Sequence, residues 1–155
     1  MNLVLSLNQF KPHYIYFQEK INNNIIENSK FIRIYYSEPN FTLNNIPIKI
    51  EFENVQYERK KNQCYCYFDI KKHEQMIQYI SQIEQYILFM SRIYEKIPVM
   101  SLNQQFNSGY FRIPYFIENN RKMSLNNCFN LKISGIWETD THFGITYKFF
   151  TINHL

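Results

Sequence analysis

The sequence contains no alanine and only three glycines, at Gly109, Gly135 and Gly144. That scarcity leaves no phosphate-cradling glycine loop and no nucleophile elbow. Its three cysteines are an odd number, which gives no disulfide framework of the secreted kind, and a reducing compartment is the simpler expectation. Cys64 and Cys66 have one residue between them, not two, and neither Cys128 nor His73 stands at a standard zinc spacing. No stretch approaches the roughly 18 unbroken apolar residues of a membrane span. The N-terminus lacks the basic region, long apolar core and small-residue cleavage site of a signal peptide, so the expectation is a soluble, intracellular protein without a membrane partner. Strong charge is missing too. Seventeen basic against 13 acidic residues give +4, which permits an anionic partner but falls short of the footprint of a dedicated duplex binder.

Aromatic residues are the opposite case, with thirteen Tyr and fourteen Phe bringing the content to 18%. Ile, Asn, Lys, Tyr and Phe belong to A/T-rich codons, so a biased genome accounts for this skew and aromatic abundance alone assigns no function. A length of 155 residues predicts one domain, large enough to bury a core without disulfide or metal staples.

Several stretches alternate with period two, which predicts half-buried strands. In residues 31–36, Phe31, Arg33 and Tyr35 share one face and Ile32, Ile34 and Tyr36 the other. In 46–52, Ile46, Ile48, Ile50 and Phe52 lie opposite Lys49 and Glu51, with Pro47 confining that end to an edge or a strand start. In 64–70, Cys64, Cys66, Phe68 and Ile70 alternate with Tyr65, Tyr67 and Asp69. Phe129, Leu131, Ile133, Gly135 and Trp137 form one face of the next run. After a break at 139–143, Ile145, Tyr147 and Phe149 alternate with Thr146 and Lys148, completing an antiparallel hairpin. Elsewhere the signal is weaker. Residues 3–7 and 14–17, separated by Pro12, are strand-like but irregular; 19–29 reads as an asparagine-rich loop, 57–62 as a polar, basic connection, and 110–116 as a short strand interrupted by Pro114.

Between 74 and 97 the period changes. Met76, Ile80, Ile83, Ile87, Met90, Tyr94 and Ile97 step alternately by four and three, the stripe of an amphipathic helix that Pro98 would terminate. At 1.5 Å per residue it would span about 35 Å.

Three strands, a long helix and two more strands follow the order of a five-stranded Greek-key barrel of the oligonucleotide-binding (OB) kind, which places its helix between strands 3 and 4. The expected fold is therefore mostly β, one OB-like domain over residues 1–155. The rival is an α+β sheet with the helix flat across one face.

Leu131-Lys-Ile-Ser-Gly-Ile-Trp-Glu138, followed by Gly144-Ile-Thr-Tyr-Lys-Phe149, resembles the C-terminal signature of single-stranded DNA-binding proteins from large DNA viruses, phages and virus-like linear plasmids. There the last two barrel strands read approximately as apolar-Lys-apolar-x-Gly-apolar-Trp and Gly-apolar-x-aromatic-Lys. The resemblance implies a non-catalytic protein that coats single-stranded DNA during replication, with little sequence preference, in a host cytoplasm or at a viral replication site. RNA is the alternative ligand, and homo-oligomers and replication proteins are the implied partners.

The residues supply the two ingredients of single-strand binding, a basic groove and aromatic faces on which bases stack. Tyr65 and Tyr67 face outward if the cysteines face the core; Arg33 and Tyr35 share a face, and Lys49 projects from the second strand. Arg59, Lys60 and Lys61 precede the tyrosine pair, while Lys132 and Lys148 lie on polar faces of paired strands. Trp137, the only tryptophan, is divided between core or rim packing and base stacking; Arg112 and the pair Arg121 and Lys122 complete the set. For each of these the competing reading is a solvated sheet face. Glu138, Asp140 and His142 alternate in the hairpin break, where a polar turn explains them better than a divalent metal does. No catalytic constellation is found, and no cofactor or metal is expected. The alternative function is a structural or adaptor protein that assembles or docks through the helix 74–97.

Overall fold

In the computed structural model, which describes residues 3–114 and 127–151, the first half of the chain forms β1 (Leu5–Ser6), β2 (Ile15–Asn22), β3 (Lys30–Glu38), β4 (Phe41–Leu43), β5 (Ile46–Glu51), β6 (Gln56–Lys60) and β7 (Gln63–Tyr67). Helix α1 (Glu74–Met90), β8 (Ile97–Val99), α2 (Ser101–Asn107), β9 (Tyr110–Pro114), β10 (Cys128–Glu138) and β11 (His142–Thr151) follow. Arg121 and Lys122 lie outside the described residues.

Period-two patterning fixes the faces of the strands it covers. Ile32, Ile34 and Tyr36 of β3 are buried, as are Ile46, Ile48 and Ile50 of β5 and Cys64 and Cys66 of β7. Burying such side chains contributes roughly 1.5–3 kcal/mol each before chain entropy is counted. They join Phe111, Phe129 and Phe149 in one core, where Phe111 lies 4.8 Å from Phe129 and 4.5 Å from Phe149 between ring centroids.

Strand β10 organises the larger sheet. One edge pairs along its length with β11. The other pairs first with β5, Cys128–Ile133 against Ile46–Glu51, and then with β3, Gly135–Glu138 against Lys30–Arg33. At the changeover the register with β11 shifts between Ile133 and Gly135, a β-bulge. β2 and β4 extend the sheet from β3, β1 pairs parallel with β5, and β8 pairs parallel with β11. The smaller sheet has the order β6-β7-β9.

The fold is thus mostly β with one long helix, but it differs from the expected barrel. Neither sheet is closed, and β7, the expected third strand, pairs with β6 and β9 and not with β5. The connection expected at 57–62 is largely the strand β6, and the loop expected from residue 19 begins only after β2 ends at Asn22. Helix α1 stops at Met90, before Pro98. Ser91 Oγ donates to the Leu88 carbonyl at 2.6 Å and Arg92 adopts φ 58°, a left-handed residue that ends the helical run. Seventeen residues give a helix of about 25 Å. Its stripe is divided: Ile80, Ile83 and Ile87 are buried, whereas Met90, Tyr94 and Ile97 are exposed.

Candidate nucleic-acid interface

The register of the smaller sheet sets Glu58, Tyr65 and Arg112 side by side, with Tyr67 opposite Tyr110. Because Cys64, Cys66, Phe111 and Ile113 fill the inward positions, the tyrosines and Arg112 necessarily point away from the core. Tyr110 bridges the pair, its ring centroid 5.9 Å from Tyr65 and 5.7 Å from Tyr67. Lys60 Nζ lies 5.0 Å and Arg112 Cζ 6.0 Å from the Tyr65 ring centre, so two cations accompany one aromatic ring. Glu58 fixes two members of the group. It accepts a hydrogen bond from the Tyr67 hydroxyl at 3.0 Å and pairs with Lys60 at 3.3 Å, and these partners hold its carboxyl below the usual range. Lys61, at φ 55°, makes the tight turn into β7.

On the outer face of the larger sheet Lys132 and Lys148 are direct cross-strand partners. Like charges so placed oppose pairing, at a cost of roughly 0.2–1 kcal/mol. Arg33 joins them in a cleft of about 520 Å³ that is lined also by Phe31, Ser134, Thr146 and the β2–β3 loop, and by no carboxylate among the described residues. None of the three cations has an ion-pair partner among the described residues.

Three clefts share lining residues. Lys148 lines both the one on the larger sheet and a second of about 610 Å³ that contains Asn62, Gln63, Arg112 and Phe150. Asn62 and Gln63 also line a third, with Lys60, Lys61 and Tyr65. Arg33, Lys132, Lys148, Arg112, Lys60, Lys61 and Tyr65 therefore belong to one series of neighbouring clefts.

Other candidates stand apart from it. Arg59 belongs to the face of β6 opposite Lys60, beside Cys64. Lys49 is held by Glu51 at 2.8 Å, with Cys128 Sγ 3.6 Å from the same carboxylate oxygen. Tyr35 stacks on Tyr16, centroids 5.3 Å apart and planes 17° apart.

Trp137 corrects the expected face assignment. The bulge separates it from Phe129, Leu131 and Ile133 and turns Ile136 and Glu138 inward in its place. Its indole covers Gly144, with Cζ2 2.8 Å from where a β-carbon would be. Phe31 covers Gly135 in the same way, Cζ at 2.5 Å. Each glycine thus lets a ring lie close against the sheet.

Glu138 belongs to an ion-pair cluster: Lys20 Nζ and Lys96 Nζ each approach one of its oxygens to 2.6 Å. Asp140 is exposed, and the His142 ring contacts the Thr141 hydroxyl at 2.7 Å. Among the described residues no group of three or more His, Cys, Asp or Glu is arranged to hold a metal ion. His73 is buried between backbone groups, Nε2 accepting from the Glu53 N–H at 2.9 Å and Nδ1 2.7 Å from the Asp69 carbonyl.

Sequence reasoning missed Tyr110 and Tyr16, which complete the two tyrosine clusters. Alternation of Tyr110 and Arg112 with Phe111 and Ile113 carried that signal for the first. No helix is long and apolar enough to cross a membrane among the described residues. Comparison with protein families, with curated proteins and with solved structures finds no match.

Proposed function

We propose that the chain binds single-stranded nucleic acid, DNA in the first instance, with little dependence on base sequence. Phosphates follow Arg33, Lys132, Lys148, Arg112 and Lys60, and bases stack on Tyr65 and its neighbours. The observation that carries this reading is the series of neighbouring clefts with shared lining residues, because it brings cations together with aromatic rings, the two ingredients of single-strand binding. The likeness of the last hairpin to viral and plasmid single-strand binders extends the proposal to coating of DNA during replication. An OB-like relationship is part of the same proposal and rests on the chain order β3, β5, β7, α1, β10 and β11.

Fluorescent oligo-dT titrated at two salt concentrations tests it. Binding at micromolar or tighter affinity is expected at low salt. With three to five phosphates contacted, log K should fall against log salt with a slope of about −2 to −3.5. Tyr65→Ala should weaken binding by roughly 1–3 kcal/mol if a base stacks there. Absence of binding at low salt would overturn the proposal.

A second reading, assembly or docking through the helix region, is favoured by one observation: Phe89, Tyr94 and Ile97 are 71%, 76% and 60% exposed within a short segment.

A further inference from the structure

The cleft on the larger sheet gathers three cations where each of the other two gathers two. Arg33, Lys132 and Lys148 converge there with no carboxylate among the described residues, a concentration of positive charge greater than one phosphodiester balances. A terminal phosphate monoester carries up to two negative charges and three acceptor oxygens, a closer match to three donors.

The wall of the cleft combines apolar side chains, Ile21, Ile25, Ile26 and Phe31, with the amides of Asn22, Asn23, Asn24, Asn44 and Asn45. Ile21, on β2 opposite Phe31, and Ile25, on the β2–β3 connection, are 53% and 89% exposed. Local bonds hold this loop in place: Asn23 Oδ1 accepts from the N–H groups of Ile25 at 2.9 Å and Ile26 at 3.3 Å, and Ser29 Oγ donates to the Ile26 carbonyl at 2.7 Å. The loop and the Asn44–Asn45 turn line the cleft, and Lys148 is shared with the neighbouring one.

We propose that this cleft is a phosphomonoester site that receives the phosphorylated end of a bound strand, the phosphate on Arg33, Lys132 and Lys148 and the terminal base against Phe31 and the isoleucines. The site rests on the single-strand reading for its biological ligand, but its chemistry is testable alone.

Two measurements separate them. Oligo-dT carrying a 5′-phosphate, a 3′-phosphate or only hydroxyl ends is titrated against the wild type and the double variant Lys132→Gln/Lys148→Gln. One phosphorylated end should bind about tenfold tighter than hydroxyl ends, and the double variant should lose that preference. Separately, dTMP and thymidine are titrated while amide resonances of β3, β10 and β11 are followed. Only dTMP should shift them. Equal affinity for all ends together with no response to dTMP overturns the phosphomonoester site and leaves strand binding standing. A dTMP response with no affinity for any oligonucleotide upholds the phosphomonoester site and overturns the strand reading. Binding to phosphatidic acid vesicles without a dTMP response overturns the site in favour of a lipid surface.

Discussion

Gly135 and Gly144 make the outer face of the larger sheet usable by rings, and they do so under different constraints. A β-carbon at Gly135 would lie 2.3 Å from the Ile32 carbonyl oxygen, a backbone atom that cannot move without disturbing the β3–β10 pairing. At Gly144 the nearest atoms all belong to the Trp137 indole, from 2.8 Å. Gly135→Ala is therefore expected to destabilise the fold by about 1–3 kcal/mol, the usual range for overpacking, read as a lower urea midpoint. Gly144→Ala should cost less and instead displace the ring, altering the fluorescence of the only tryptophan. Little of this was legible beforehand. Alternation identifies which side chains of β3, β5 and β7 face inward because each strand keeps one register, but the bulge at Ser134 and Gly135 is a property of pairing with β11. The bulge exchanged the expected positions of Trp137 and Ile136.

At the scale of elements, two buried carboxylates tie distant segments together. Glu84 on α1 accepts the N–H groups of Leu102 and Asn103 at 2.9 and 2.8 Å, capping α2 from another helix because Met100, at the N-cap, offers no side-chain bond. Such a cap has no local sequence signature, which is why α2 escaped the sequence reading. β6 escaped for a different reason: Glu58 and Lys60 face outward and Arg59 interrupts its other face, so no apolar alternation marks it. Glu138 joins β10 to Lys20 on β2 and to Lys96, which precedes β8. Burial disfavours its charge, but the two ammonium groups outweigh that effect and hold its carboxyl below the usual range. The folded protein thus binds fewer protons at this site than the unfolded chain. The contribution to stability is complete above the ordinary glutamate pKa and is lost as pH falls through the lowered folded value. Glu84 acts in the opposite sense, because burial raises its pKa against the pull of its two backbone bonds. Its contribution is complete below the ordinary pKa and lost as pH rises through the raised one. Comparing urea unfolding of the wild type with Glu138→Gln isolates the first effect. The advantage of the wild type should be largest near neutrality and shrink progressively below pH 4; an advantage independent of pH would remove Glu138 from the acid response.

For the molecule as a whole, β11 separates two surfaces. β8 pairs with its first residues, His142–Gly144, whereas Lys148 lies further along the same strand. The exposed Phe89, Met90, Tyr94 and Ile97 accompany the β8 end, and two of the basic clefts share Lys148. The two ends of this arrangement were unequally legible. The apolar stripe over 74–97 appeared as one helix face, and only the left-handed Arg92 divides it into a buried part and an exposed part. The gathering of Arg33 with Lys132 and Lys148 depends on β10 pairing with β3 on one edge and β11 on the other, a long-range arrangement that leaves no periodic trace. Because the surfaces are distinct, self-association and strand binding should respond to different substitutions. Met90→Glu adds charge to the exposed apolar segment without touching the buried isoleucines of α1. If that segment joins copies of the chain, light scattering will report a smaller mass for Met90→Glu than for the wild type, with thermal unfolding little changed. Affinity for an oligonucleotide short enough to occupy one protomer should then be retained, while binding to a long strand loses cooperativity. A wild type that scatters as a monomer at every concentration measured would remove assembly from the reading and leave the basic clefts to act alone.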